Sequence, residues 1–470
     1  MTQTSAAQPS HPSLRVRALK AGAWTVGQQG FEAATRFISN LIMTRLLFPE
    51  AFGVISAALV LITGLQLLSD FGVHSVIIQD ARGDREDFLR SAWVFLLWRG
   101  TLLWLVLCAI CAALGIPAVH DLIPAGTVFA DDLFPRVTAM LGFSLLVGEA
   151  RSTVLYLNAR RLDLGPVAAI DIACRVLTIV VMFAWALVAP SPWAIVAGTL
   201  AGEVGRTVLS HVVVAGPRMA FKWQTQHFRE IIRFGKWIWV STVGTFVTNQ
   251  SDVIILGILF PGPVFGVYVI AKLLVESVEM LLSRVEAALA LPVLSEIARK
   301  LPHDLWGQYY RLRLPLELAA AAAGGMLFAG GDFVVRFLYD QRYAEAGLMV
   351  QILAIRLALY PCGIIQSAFV ATGDAHIGAG LSTLRAVSIV VCAIGGFFAA
   401  GPLGAIAGLA LHRVIPSAVI VVFASRRGWI SAWREVRVVP VFIAGAAIAK
   451  AGMAVMAALG VSSVAQLLHR

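Results

Sequence analysis

An all-α polytopic membrane protein of about thirteen transmembrane helices (twelve to fourteen), arranged as two six-helix lobes, is the fold class this sequence predicts, and three observations predict it. Of the 470 residues, 59% are hydrophobic and 14% charged, more apolar surface than a soluble domain of this length can bury. Thirteen apolar stretches follow one another with mostly short connections, each near the ~20 residues that cross a hydrocarbon core ~30 Å thick. A short motif at the start of the chain also returns at its middle, as in transporters built by duplication.

Residues 1–20 form a polar tail, expected to be cytoplasmic. The first apolar stretch is long, carries charges and lacks a small-residue cleavage site, so it reads as a retained helix and not a signal peptide. Helices one to six span Ala21–Thr44, Phe52–Ile78, Ser91–Gly115, Arg136–Asn158, Pro166–Val188 and Trp193–Ala215, giving an N-lobe over 21–215. Residues 216–236 form a basic linker. Its part from Met219 to Lys236 puts Lys222, Arg229, Arg233 and Lys236 on one helical face and Phe221, Phe228, Ile231 and Ile232 on another, which reads either as an interfacial amphipathic helix or as a solvated loop obeying the positive-inside rule.

Helices seven to twelve span Trp237–Leu259, Val264–Ala290, Leu314–Ala329, Gly347–Ala371, Gly378–Ala399 and Leu403–Ala424, giving a C-lobe over 237–424. Residues 425–470 hold a basic loop and helix thirteen, Val438–Leu459.

The net charge of +10 raises the question of nucleic acid, and its distribution answers it. With the N-terminus in the cytoplasm, the cytoplasmic segments hold 21 of the 37 Lys and Arg, the external segments 4 and the spans 12. That is the bias that orients membrane proteins, so the basic balance reports topology, and no nucleic-acid partner is expected. All five cysteines, Cys108, Cys111, Cys174, Cys362 and Cys392, fall in predicted spans; Cys108 and Cys111 read as small apolar residues in lipid, not as a redox or metal pair.

A charge at the bilayer centre costs ~2.5–3.5 kcal/mol on insertion scales, yet twelve basic and ten acidic residues lie in the spans. Glu32 with Arg36, Asp171 with Arg175 and Lys272 with Glu276 are four apart, and Glu203 with Arg206 three apart, spacings that allow pairing along one helix. The charges also form stripes. On helix one, Gln28, Gln29, Glu32, Arg36 and Asn40 fall within an arc of about 120°. Helix seven carries Thr242, Thr245, Asn249 and Asp252 on one face, and helix eight carries Lys272, Glu276, Glu279, Ser283 and Glu286. Polar faces on corresponding helices of two repeats are best satisfied across a water-filled cavity. Arg356, Arg385 and Arg413 have no acid within four residues in the chain, and guanidinium binds phosphate oxygens bidentately while keeping its charge. With Arg36 and Lys272 they are the candidates for holding an anionic ligand. Gln28, Gln29, Glu32, Asn249, Asp252, Glu276 and Glu279 are the polar candidates, and Asp252 and Glu32 are the two that suit a coupling ion.

The duplicated motif reads Leu47-Phe48-Pro49-Glu50-Ala51-Phe52-Gly53-Val54 in the first half and Leu259-Phe260-Pro261-Gly262-Pro263-Val264-Phe265-Gly266-Val267 in the second. Together with Leu68-Ser69-Asp70-Phe71-Gly72, Ser251-Asp252-Val253-Ile254-Ile255-Leu256-Gly257, Tyr268, Ala271 and Pro292-Val293-Leu294-Ser295, it resembles the polysaccharide transporter family, the Wzx-type flippases of the MOP superfamily. The resemblance is clear in helices one, two, seven and eight. It implies a MOP/MATE-like arrangement of two lobes related by a pseudo-two-fold axis along the membrane normal, alternating access, and an oligosaccharide on polyprenyl pyrophosphate as substrate. Many members of the family have fourteen helices, one more than is marked here.

The expected function is therefore flipping of such a lipid-linked oligosaccharide across a bacterial inner membrane for exopolysaccharide, O-antigen or capsule synthesis. Membrane lipids surround the chain, and a polysaccharide polymerase and export proteins are possible partners. Two relatives in function stay open: an ion-coupled multidrug exporter of the same superfamily, for which a cavity rich in acids is expected, and a lipid II flippase. A membrane glycosyltransferase or polymerase is expected to carry a large external loop, and none exceeds about twenty residues. No G-x-x-x-x-G-K-[ST] loop is present, so no nucleotide, cofactor or metal is expected.

Overall fold

The computed structural model describes residues 14–79, 83–222, 244, 246–300, 305–359, 364–371, 375–426, 431–435 and 437–458. Among these residues the only β geometry is an isolated bridge between Thr127 and Pro261. The helices are α1 (Leu14–Leu46), α2 (Pro49–Leu68), α3 (Val73–Gln79), α4 (Glu86–Leu114), α5 (Pro117–His120), α6 (Leu133–Glu149), α7 (Val154–Arg160), α8 (Gly165–Val188) and α9 (Trp193–Val212). Then follow α10 (Phe246–Leu259), α11 (Gly262–Lys300), α12 (Leu305–Leu338), α13 (Ala346–Ala358), α14 (Ile364–Ala371), α15 (Ala375–Leu411), α16 (Val414–Arg426), α17 (Ala432–Glu435) and α18 (Val438–Ala458).

Six of these segments are long and apolar enough to cross a membrane unaided, and α6 with α7, bent by 61°, makes a seventh. The number is lower than thirteen for physical reasons. The segment Gly380–Arg426 holds the predicted helices eleven and twelve in one apolar run of 47 residues, and the chain reverses inside it: Gly401 has φ +62°, beside Pro402, a left-handed conformation that glycine adopts without strain. α1 and α11 are long but too polar to pass a hydropathy test. The start of predicted helix seven, with Thr242 and Thr245, lies outside the described residues, as do most of the linker, Cys362 and the C-terminal residues from 459 on.

Apolar side chains cover much of the surface: Val188 is 87% exposed, Phe398 81% and Leu187 75%, as a lipid-facing wall requires. The chain is a multi-pass membrane protein.

Two compact units divide the chain, and they cut across its sequence halves. The first comprises Met1–Met43, Leu65–Ile110 and Ala139–Val240, the second Thr44–Gly64, Cys111–Thr138 and Ser241–Arg470. In the first, Val76, Ile77, Phe88, Leu89, Phe95 and Leu157 form a buried cluster, and α8 and α9 approach closely because Gly198 and Gly202 face Met182 and Thr178, the small-residue packing that membrane helices use. Segments predicted on the cytoplasmic side meet there. Arg17 donates to the Arg161 carbonyl, Arg160 to the Ile77 carbonyl at 3.0 Å, Arg90 to the Arg218 carbonyl at 3.1 Å, and Lys222 pairs with Asp87 at 2.5 Å. Of the linker's predicted faces, Phe221 packs edge-on against Trp93 at 5.8 Å.

In the second unit, segments predicted on the opposite side meet. Gly262 donates to the Gly126 carbonyl at 2.9 Å, Tyr343 to the Leu47 carbonyl at 3.0 Å, and Arg342 to the Arg45 carbonyl at 3.0 Å while lying 4.8 Å over the Phe48 ring. The two copies of the repeated motif touch: a methyl group built on Gly266 would lie 1.9 Å from the Pro49 carbonyl oxygen, and one on Gly53 3.3 Å from the Gly262 carbonyl oxygen. Away from this joint, α12 packs on α13 and α18, with Gly325 against the Phe442 backbone.

Candidate functional site

The second unit brings the predicted C-lobe residues together. α11 turns Tyr268, Lys272, Glu276, Glu279, Ser283 and Glu286 to one side because they recur every three or four residues, and α10 presents Asn249 and Asp252. Tyr268, fully buried, donates to Asp252 Oδ2 at 2.6 Å. Lys272 lies 2.7 Å from the same oxygen and 3.4 Å from Glu276. The predicted Lys272–Glu276 pair therefore exists, but Asp252 is the closer partner.

One helical turn further along, Glu279 meets the arginines. Its Oε1 lies 3.1 Å from Arg356 Nε and 3.0 Å from Arg413 Nη2, and Arg413 also donates to the Arg356 carbonyl at 3.3 Å. The carboxylate that the local sequence around Arg356 and Arg413 lacks is supplied from α11.

These side chains wall two adjoining hollows. The larger, about 520 Å³, is lined among others by Asn249, Glu276, Glu279, Ser283, Glu286, Arg385 and Arg413. The smaller, about 120 Å³, adds Asp252, Arg356 and His412 and shares Asn249, Glu276, Glu279, Arg385 and Arg413 with its neighbour. Arg356, Arg385 and Arg413 thus stand against Asp252, Glu276 and Glu279 around the inner hollow, and Lys272 pairs with Asp252. Tyr268 and His412 were not anticipated. Tyr268 is four residues before Lys272 on the same face, so a helical projection begun one turn earlier finds it. His412 is buried, its Nδ1 2.6 Å from the Leu409 carbonyl oxygen, and no local pattern marks it.

The helix-one candidates lie in the first unit. Gln28 donates to Glu32 at 3.1 Å and to Asp171 at 2.6 Å, while Gln29 and Arg36 are exposed along α1. Two of the pairs expected along single helices give way to pairs between segments. Asp171 binds Arg206 at 2.8 Å instead of Arg175, and Glu203 binds Arg151 instead of Arg206. Arg175 reaches Thr35 at 3.4 Å and Ser39 at 3.3 Å on α1. The glycine-lined contact between α8 and α9 shortens the reach from Asp171 to Arg206, while Arg151, just after α6, meets Glu203 beside Gly148.

A second polar hollow of about 230 Å³ lies in the first unit, lined by Gln66, Asp70, His74, Arg99, Glu149 and Tyr156 among others. Arg99, 9% exposed, pairs with Glu149, lies 3.7 Å from Asp70 and donates to the Ser69 carbonyl at 3.2 Å. Asp70 and Glu149 sit on different segments, and spacing along the chain does not connect them. Among the described residues, no group of three or more His, Cys, Asp or Glu is placed to hold a metal ion.

Residues 42–348 match the family model described as polysaccharide biosynthesis protein. The chain belongs to that family. No curated protein matches it by sequence. Among solved structures it resembles the lipid II flippase MurJ in an inward closed conformation, with 12% identity, a TM-score of 0.62, and coverage of 93% of this chain and 98% of that one. It also resembles a multidrug resistance MATE family transporter of the MOP superfamily, inward-facing, with 15% identity, a TM-score of 0.56, and coverage of 89% and 95%. The outward-facing form of such a transporter matches with 13% identity, a TM-score of 0.51, and coverage of 87% and 95%. The family member described here has the fold of these MOP superfamily transporters, as the motifs implied.

Proposed function

We propose that this family member flips an oligosaccharide linked to polyprenyl diphosphate across a bacterial inner membrane, supplying exopolysaccharide, O-antigen or capsule synthesis. The observation that carries the reading is the convergence of Arg356, Arg385 and Arg413 on one polar hollow. A diphosphate diester offers two ionised phosphates, and guanidinium recognises such oxygens in pairs. The lobes over 21–215 and 237–424, joined by the linker at 216–236, alternate access around the headgroup while the polyprenyl tail stays in lipid. The 1–20 tail and the basic 425–437 stretch then face the cytoplasm, where the charge bias puts them. Gln28, Gln29, Glu32 and Arg36 line the N-lobe's share of the path, and Asp252 or Glu32 carries any coupling ion. A polymerase and export proteins receive the product.

The likeness to a lipid II flippase favours a second reading within the same chemistry, since that substrate also presents a lipid diphosphate. The drug-exporter reading is disfavoured because Lys272 already pairs with Asp252 and three arginines line the hollow.

The test is translocation of a fluorescent polyprenyl-diphosphate oligosaccharide in proteoliposomes. Wild type is expected to flip it, and Arg356→Ala, Arg385→Ala and Arg413→Ala to lose at least tenfold while remaining folded and inserted. Lipid II supplied in parallel separates the two flippase readings. Export of small organic cations without lipid flipping overturns both.

A further inference from the structure

We propose that Glu279 is a built-in counter-anion: in the unloaded protein its carboxylate occupies the place between Arg356 and Arg413 that a phosphate of the ligand takes, and ligand and Glu279 exchange. The inference rests on the diphosphate reading above.

Three observations support exchange over a fixed pair. The first is position. Glu279 Oε1 sits within 3.1 Å of two guanidiniums from different segments, and the same residue lines both hollows, so the carboxylate has the wider space to retreat into without crossing protein.

The second is bonding. Oε1 of Glu279 and both Nε and Nη2 of Arg356 are buried without an aligned hydrogen bond, although the ion-pair distances are short. The carboxylate is held by charge with little directional bonding, which leaves Arg356 donors to a ligand with more oxygens to offer. The neighbouring Asp252 is different: it takes a hydrogen bond from Tyr268 at 2.6 Å and one from Lys272 at 2.9 Å, the mark of a fixed pair.

The third is charge. Three arginines and three carboxylates, Glu279 among them, line the inner hollow, so it has no cation surplus while Glu279 sits in it. A diphosphate diester carries two negative charges, one per phosphorus, and withdrawing Glu279 into the wider hollow releases a positive charge to meet them. Exchange has a functional consequence. An anion with one charge or one oxygen pair cannot outbid a tethered carboxylate, whereas a diphosphate can, and the returning carboxylate helps to release the headgroup after translocation.

The experiment measures binding of a short-chain polyprenyl diphosphate bearing one N-acetylhexosamine to the purified full-length protein in micelles, with translocation in vesicles alongside. Glu279→Gln is expected to bind the probe about tenfold more tightly and to translocate it several-fold more slowly, because the headgroup is no longer displaced. Glu276→Gln removes an equal charge from the same hollows without touching Arg356 or Arg413, and it is expected to tighten binding by less than threefold. Glu279→Asp, whose shorter side chain weakens both pairs, is expected to fall between wild type and Glu279→Gln, and it decides the matter if Glu279→Gln does not fold. Unchanged or weaker binding by the Glu279 variants while wild type binds overturns the exchange but leaves the ligand class standing. Equal tightening by Glu276→Gln reduces the effect to a general field and also overturns it. No binding by any form, wild type included, sinks the diphosphate reading and the exchange together.

Discussion

The two polar hollows use nearly the same side chains and differ in charge balance and room. In the first unit Arg99 is held by Glu149, lies near Asp70 and is tied to the Ser69 carbonyl, around a space of about 230 Å³. In the second, Arg356 and Arg413 share one carboxylate beside about 520 Å³ of open space. An arginine outnumbered by acids in a tight hollow is a fastening between helices. Two arginines that share one carboxylate beside a roomy hollow are a place for an anion. Burying charge is costly, and a membrane protein that keeps three arginines around one hollow has a use for them.

Truncation separates the two cases, and the largest effect is expected in the fastening. Arg99→Ala leaves Glu149 buried without its cation and is expected to cost about 3–5 kcal/mol, read as a clear fall in the melting temperature of the purified protein. Substituting Glu149 by Ala as well restores part of it. Lys272→Met is expected to be milder, about 2–3 kcal/mol, since Asp252 keeps the Tyr268 hydrogen bond; a double-mutant cycle with Asp252→Asn measures the coupling. Arg356→Ala is expected to lose at least tenfold in translocation, about 1.4 kcal/mol, with little change in melting because Glu279 keeps Arg413. If it melts as early as Arg99→Ala, the contrast between the hollows collapses. Glu276→Gln is expected to do least, within about 1 kcal/mol of wild-type stability, because its half-exposed carboxylate is screened by solvent.

Much of the second unit's site was legible in the sequence. Charges recurring at helical spacing on α11 marked its polar face, and Arg356, Arg385 and Arg413 stood out because no acid lies close to them in the chain. What the spacing could not reveal was Glu279 as their shared partner, since helix packing, not sequence distance, brings α11 to them. The same limit explains Asp171 and Glu203. An i,i+4 rule looks along one helix, and where glycines let two helices touch, the neighbour offers the nearer charge. The Asp70, Arg99 and Glu149 hollow went unnoticed for that reason, although Asp70 lies within a family motif. Thirteen predicted spans and the six or seven self-sufficient ones among the described residues differ because hydropathy penalises the charged faces that serve the interior and because Gly380–Arg426 runs as one apolar segment.

The contact between the repeated motifs carries a consequence for how this sequence can change. Gly266 abuts the backbone of Pro49, and Gly53 abuts that of Gly262, so each copy of the motif is part of the other's steric boundary. Copies of a duplicated segment are ordinarily free to diverge, one keeping the old role while the other drifts. Here a side chain gained at Gly266 collides with main chain in the twin copy, one gained at Gly53 presses on it at 3.3 Å, and no rotamer change relieves a clash with a carbonyl. Each copy thus bounds the other, and at these positions neither is free to drift.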